Sequence, residues 1–368
     1  MGKIEESTLE INLNALEHNY HFLRAKLHAN VKLLGVVKAF AYGSDMIVVA
    51  KKLETLGVDY LAVAYVKEGI LLREAGITTP ILVLHPQPVN FEELINQCLE
   101  PSLYSPRVLK KFLSVAQKKK QKEYPVHLKF NTGLNRLGFW ENDVSYIMDV
   151  IRAQNEIKIK GLLSHLAASE DDQERDFSLH QIATFKKISA SFKKELNYSP
   201  ICHMLNTSGI LNFPDAQFDM VRSGIGLYGY GNHPEFDKKL KPIATLKTVI
   251  SQLHKIEPGE SVGYNRAFTS DHYRITATLP LGHADGIGRQ YGGGSSYVFV
   301  NDRPAPIIGN VCMDMIMIDV TNIDCKEGDE VIVFGENYSA EHFAKSANTI
   351  SYEILTAISP RVKRYILT

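Results

Sequence analysis

The chain has 368 residues, 45% of them hydrophobic and 22% charged, and 41 Lys+Arg against 41 Asp+Glu leave no formal net charge. That composition fits a globular protein of about two domains at roughly 150 residues each, and it lacks the basic footprint that nucleic-acid binding requires. No apolar run approaches the roughly 18 to 20 residues needed to cross a bilayer, residues 1–9 are polar and acidic, and Cys98, Cys202, Cys312 and Cys325 form no CxxC pair. The expectation is an unprocessed cytoplasmic protein with no membrane, nucleic-acid or metal partner.

Along the chain, short β-branched runs at 31–38, 60–64 and 81–84 are each followed by a helix-period segment, at 45–55, 67–75 and 91–98. The rhythm continues with a strand near Ser102 and a helix from Arg107, strands at 126–131 and 157–164 with helices at 144–152 and 173–194, and final strands at 201–205 and 218–222. Eight strands in a little over 200 residues is the number at which a parallel sheet closes into a (β/α)8 TIM-type barrel, although periodicity alone leaves an open doubly wound sheet possible. Past the turn-rich stretch 229–242 the texture changes to strands without intervening helices, at 245–256, 274–281, 296–301, 306–320 and 330–334, with helices near 340–345 and 352–358. This predicts a barrel over residues 1–238 and a C-terminal β-rich domain over 239–368.

In a barrel of this kind the residue ending a strand faces the active-site mouth. Lys38, in the run Val-Val-Lys-Ala-Phe-Ala-Tyr-Gly at 36–43, ends the first apolar strand. Taken alone, such a lysine is more often a solvated strand terminator. Seven further blocks follow it in order: Lys-Phe-Asn-Thr-Gly-Leu-Asn-Arg-Leu-Gly at 129–138, Ser-His-Leu-Ala at 164–167, Asn-Thr-Ser at 206–208, Val-Arg-Ser-Gly-Ile at 221–225, Val-Gly-Tyr at 262–264, Gly-His-Ala-Asp-Gly at 282–286 and Val-Cys-Met-Asp at 311–314. Together the eight blocks span both inferred domains and resemble the alanine racemase family.

The resemblance implies an enzyme that uses pyridoxal 5'-phosphate to interconvert L- and D-alanine by a two-base mechanism and so supplies D-alanine for peptidoglycan. Inverting an amino acid requires the weakly acidic α-proton to leave one face and return on the other, and the cofactor supplies the electron sink. By resemblance Lys38 holds the cofactor and serves one face, and Tyr264 serves the other. A phenol ordinarily has a pKa near 10, so it needs a cationic setting to act near neutral pH; the family provides this through the residues matching His165 and Arg222. Arg222 also matches the residue facing the pyridine nitrogen, where a guanidinium, which cannot readily give up a proton, keeps that nitrogen unprotonated.

Asn206 belongs to the cofactor-binding blocks, and Tyr42, Thr207, Gly224 and Ile225 match the phosphate cradle, Thr207 standing where serine is usual. Arg136 and the backbone N–H of Met313 match the substrate-carboxylate contacts, and Lys129 matches a lysine carbamylated in several members. The alternation Met313, Met315, Met317 reads, for the last two, as a buried strand face. The resemblance also implies a homodimer in which Tyr264 and Met313 enter the other subunit's site.

Three departures stand out: His283 where many members have an entrance tyrosine, Pro360 where some have another phosphate-contacting tyrosine, and Asn131 in place of a frequent aspartate. The alternatives are a serine or broader-specificity racemase, a pyridoxal-phosphate decarboxylase with a related barrel, and a non-catalytic cofactor carrier. The stretch 224–229 satisfies GxGxxG, but it lies late in the chain and precedes a predicted turn instead of the helix that a dinucleotide site needs.

Overall fold

The computed structural model describes residues 6–368, so part of the polar stretch read at 1–9 lies outside the described residues. The described chain opens on a strand that sequence periodicity did not suggest, β1 (Thr8–Asn12). Leu9 and Ile11 are buried and Glu10 and Asn12 half-buried, an alternation too short to stand out in a polar, acidic stretch. The backbone falls into two compact units, one of Glu17–Ala41 and Met46–Leu240, the other of residues 6–16, Tyr42–Asp45 and Lys241–Thr368.

The first unit is a closed barrel of eight parallel strands: β2 (Lys32–Val36), β3 (Tyr60–Val63), β4 (Ile81–Val83), β5 (Glu100–Leu103), β6 (Tyr124–Lys129), β7 (Ile157–Leu163), β8 (Ile201–His203) and β9 (Met220–Ser223). Closure is made by β2 pairing with β9 from Lys32↔Met220 to Gly35↔Ser223, which excludes the open sheet. The strands are short and contribute wholly buried apolar side chains, among them Leu33, Leu61, Leu82, Leu128 and Leu162. The helix Pro106–Lys118 shows why the intervening segments are helical. Ser105 Oγ caps it by accepting from the Val108 N–H, proline occupies the first turn, and Val108, Leu109, Phe112 and Ala116 form one buried stripe.

The second unit is built on a nine-stranded sheet. It contains β1 with β10 (Ala244–Val249), β11 (Gln252–Ile256), β14 (Arg274–Leu279), β15 (Tyr297–Val300), β16 (Arg303–Ile308), β17 (Ile316–Asp319), β18 (Glu330–Phe334) and β19 (Lys363–Leu367), in the order β11-β14-β17-β16-β15-β18-β10-β1-β19. A separate two-stranded ribbon pairs β12 (Ser261–Val262) with β13 (Phe268–Thr269). Two long predicted strands are each broken: 245–256 turns after Val249, and 306–320 stops at Ile308 and resumes at Ile316. The second break overturns one reading: Met315 lies in the intervening turn and is exposed, not part of a buried strand face. No described helix is long and apolar enough to cross a membrane.

Candidate active site

The carboxyl ends of the barrel strands collect the basic residues singled out from sequence. Lys38 lies two residues past β2, Lys129 closes β6, His165 lies two past β7, and Arg222 sits within β9. The lysine segment is unusual in its backbone. Strand β2 stops at Val36, and Ala39, Phe40, Ala41 and Tyr42 all take left-handed φ values of 53–54° before Gly43 at 80°. L-residues pay about 1–2 kcal/mol each for that conformation, so the segment is held by its surroundings. Part of the hold is Glu68, whose carboxylate accepts from the N–H groups of Ala39 (2.7 Å), Ala64 (2.7 Å) and Tyr65 (3.1 Å). Sequence reasoning missed Glu68, which looks like any first-turn helix acid.

Arg222 is buried and its terminal nitrogens are fully used. Nη1 donates to His203 Nδ1 (2.9 Å) and to the His203 carbonyl (3.1 Å); Nη2 donates to the carbonyls of Ser164 (2.6 Å) and Met204 (2.8 Å) and to His165 Nδ1 (3.0 Å). Its Nε–H has no protein acceptor among the described residues. Since a guanidinium only donates, His165 Nδ1 must accept, and the ring proton resides on Nε2. Burial, and then the charges of Arg222, Arg136, Lys129 and Lys38, hold the imidazole pKa well below its ordinary value, so it is neutral at physiological pH.

Lys38, Lys129, Arg136 and Arg222 concentrate positive charge here. Burial and then Arg136 lower the Lys38 ammonium, with Glu68 opposing. Lys129 is brought down to about 8 by burial, Arg136, Arg222 and Lys38. Burial brings Arg222 to about 10. An unmodified Lys129 therefore repels Arg136.

Below this cluster, Asn206 caps the helix Thr207–Asn212 by accepting from the Gly209 N–H (2.9 Å) and is itself held by Ser169 Oγ (2.8 Å). Thr207 Oγ1 lies 3.2 Å from Ser223 Oγ and accepts from the N–H groups of Gly224 (3.3 Å) and Gly226 (3.2 Å). A Cβ on Gly226 would come within 2.6 Å of Thr207 Cγ2, so this turn closes only around glycine. The N–H of buried Ile225 forms no hydrogen bond within the protein among the described residues. The chain leaves this turn irregularly and reaches only a four-residue helix, Pro234–Asp237, which confirms that the GxGxxG match is not a dinucleotide loop.

In the β-rich unit, Tyr42 lies against Tyr352, with ring centroids 6.0 Å apart; burial and then Tyr352 raise the Tyr42 phenol. Sequence reasoning passed over Tyr352 as part of a closing helix. Tyr264 projects from a tight turn with 75% of its surface exposed, and Gly263 (φ 77°) and Asn265 (φ 59°) flank it. Met313 is also exposed. Its turn is pinned by Arg361, which donates to Asp285 and Asp314 at 2.6 Å each, a role unmarked in the sequence. His283 and Pro360 are both exposed.

This donor set fits a phosphorylated aldehyde cofactor. A strand-end amine of depressed pKa is suited to attack an aldehyde, the excess of cations matches phosphate and phenolate, Ile225 N–H is open to an oxyanion, and Arg222 Nε–H is open to a ring nitrogen. The barrel and this mouth define the class of barrel enzymes that attach such a cofactor to a lysine. Known proteins narrow the class. The family description "Alanine racemase, N-terminal domain" matches residues 11–232 and "Alanine racemase, C-terminal domain" matches 243–366.

The alanine racemase of Clostridium novyi is 38% identical, covering 96% of this chain and 94% of its own. The solved alanine racemase of Clostridium difficile 630 superposes with a TM-score of 0.91 at 34% identity, covering 98% of this chain and 95% of that one. That of Bartonella henselae, solved with covalently bound pyridoxal phosphate, gives 0.90 at 30% identity, covering 98% and 99%. The chain belongs to the alanine racemase family.

Proposed function

We propose that this protein is a pyridoxal-phosphate-dependent alanine racemase that moves the α-proton between two bases, Lys38 on one face and Tyr264 on the other. The observation that carries this reading is the Arg222 environment: four terminal N–H groups saturated by protein, one N–H left open, and a neutral His165 with its proton on Nε2. When bound, the cofactor withdraws electrons from the substrate's amino nitrogen and so acidifies the Cα–H.

The protein's own groups do the rest. Lys38 Nζ would hold the cofactor and would exchange a proton at the substrate Cα; its lowered pKa keeps a larger share of it as the free amine. Arg222 Nε–H would face the ring nitrogen, and a guanidinium would not readily protonate it. Asn206, Thr207, Gly224, Ile225 and Tyr42 serve the cofactor, Ile225 through its open N–H and Thr207 by shaping the turn that presents it. His165 Nε2–H donates toward the second base and stabilises its phenolate form. Arg136 and the Met313 N–H hold the substrate carboxylate.

Lys129 at about 8 has a nucleophilic amine, and its carboxylation by CO2 would replace a cation beside Arg136 with an anion, turning repulsion into attraction. The division of labour is a barrel carrying the cofactor lysine and a β-rich domain supplying the second base, the 1–238 and 239–368 division being amended by residues 6–16 and Tyr42–Asp45, which belong to the β-rich unit. Exposure of Tyr264 and Met313 supports a homodimer in which each β-rich domain completes the site of the other copy. The location is cytoplasmic, and the product feeds peptidoglycan.

The test is incubation of the purified protein and pyridoxal phosphate with single L-amino acids, followed by chiral chromatography and CO2 measurement. D-alanine formed without CO2 is expected. D-serine in preference to D-alanine would move the assignment to a serine racemase, and CO2 release without D-alanine would make the protein a decarboxylase. Tyr264→Phe should keep the bound-cofactor absorbance and lose racemisation; undiminished turnover would remove Tyr264 from the mechanism.

A further inference from the structure

Barrel interiors of this fold are ordinarily filled by branched apolar side chains. This one holds a file of polar groups in its core. Glu100 opens β5 at the amino-terminal end of the barrel and is buried. Its Oε2 is 2.9 Å from His127 Nε2, His127 Nδ1 is 3.2 Å from His203 Nε2, and His203 Nδ1 is 2.9 Å from Arg222 Nη1. Both histidines are fully buried. The fold makes room for them: the β6–β7 register shifts between Val126 and His127, and a Cβ on Gly161 would sit 2.2 Å from His127 Nδ1.

Every proton in this file is determined by its ends. Arg222 can only donate, so His203 Nδ1 accepts and its proton lies on Nε2. That proton is donated to His127 Nδ1, which leaves the His127 proton on Nε2, donated to the Glu100 carboxylate. Burial alone would raise Glu100, but the hydrogen bond from His127 and the charge and hydrogen bond of Lys160 outweigh it and hold the carboxyl below its usual range, so the terminus is an anion. Lys160 Nζ, 3.1 Å from Glu100 Oε1, ties the file to the partly exposed rim of the barrel. Burying a carboxylate and two imidazoles costs several kcal/mol relative to apolar packing, so stability is a poor account of their presence.

We propose that Glu100 is a positioning residue for the reaction: acting through His127 and His203, it sets the orientation and hydrogen-bond polarity of the Arg222 guanidinium and so aims its remaining N–H at the cofactor ring. A terminal anion fixing the tautomer of a working group is the logic by which a carboxylate orients the histidine of a hydrolase triad. The proposal rests on the reading that Arg222 faces the cofactor nitrogen.

Two measurements separate the proposal from that reading. Nitrogen-15 NMR of histidine-labelled apoprotein should show the neutral forms of His127 and His203 with their protons on Nε2; either one as the Nδ1–H tautomer overturns the relay, whatever the cofactor does. In the holoenzyme, Glu100→Gln should move the bound-cofactor absorbance in the direction that Arg222→Lys moves it and lower kcat roughly tenfold with KM within about twofold. If Arg222→Lys moves the spectrum and Glu100→Gln does not, the relay is refuted. If Arg222→Lys also leaves it unmoved, the cofactor placement falls and takes the proposal with it. Should Glu100→Gln fail to fold, Lys160→Met, which removes only the rim partner, should produce a smaller shift of the same sign, and no shift refutes the coupling.

Discussion

Replacing Lys129 by methionine should stabilise the apoprotein at neutral pH, against the usual result of altering a buried residue. Lys129 is 8% exposed, and burial with Arg136, Arg222 and Lys38 brings it from 10.5 to about 8. That depression corresponds to about 3 kcal/mol against the protonated folded state. The sign follows from proton counting. Between pH 8 and 10.5 the unfolded lysine keeps a proton that the folded one has released, so stability rises with pH across that window. The penalty is therefore fully present at pH 7 and falls below about 1 kcal/mol at pH 10. Lys129→Met keeps most of the side-chain volume and removes the charge, so it should exceed wild type by about 2–3 kcal/mol at pH 7 and by less than about 1 kcal/mol at pH 10. Urea unfolding in CO2-free buffer, followed by the single tryptophan Trp140 of the barrel unit, measures this directly. A gap of equal size at both pH values would show that Lys129 titrates normally and that the cationic cluster does not strain the fold. Adding bicarbonate at pH 8 should stabilise wild type alone, because only its amine can become a carbamate.

Three other changes test the same site. Arg222→Met deprives His203 Nδ1, His165 Nδ1 and the carbonyls of Ser164, His203 and Met204 of their donor; a loss of about 2–4 kcal/mol should appear in denaturant unfolding, and a neutral result would mean that water replaces the guanidinium. Gly226→Ala forces a Cβ to within 2.6 Å of Thr207 Cγ2; it should cost about 1–3 kcal/mol and weaken pyridoxal-phosphate retention on dialysis, and unchanged retention would detach this turn from the phosphate. Lys38→Ala should lose the absorbance of lysine-bound cofactor once unbound pyridoxal phosphate is removed by desalting; a borohydride-trappable adduct at another lysine would overturn the assignment of Lys38.

What could be read from sequence divides along physical lines. Barrel strands such as β2, β3 and β4 are apolar runs, so each announces itself without reference to its neighbours. Edge and broken strands do not. β1 has polar residues on alternate positions and the edge strand β19 opens on two basic residues; β1 gains its order between β10 and β19, and β19 by pairing with β1 from Thr8↔Lys363 to Asn12↔Leu367, a contact between residues far apart in the sequence. The same distinction runs through the site. Lys38, His165 and Arg222 lie in local blocks whose residue types suggest chemistry. Glu68 and Arg361 work by gathering backbone and side-chain partners that only the fold brings near, and nothing in their own neighbourhoods distinguishes them from surface charges. Glu100 is the extreme case. It opens a weak strand beside a proline, and its meaning depends on two histidines 27 and 103 residues further along the chain. Because a guanidinium donates at one end and a carboxylate accepts at the other, the polarity of the file between them follows from residue types once adjacency is known. Chemistry was thus legible before geometry wherever a residue acts on the ligand, and only after geometry wherever it acts on another residue.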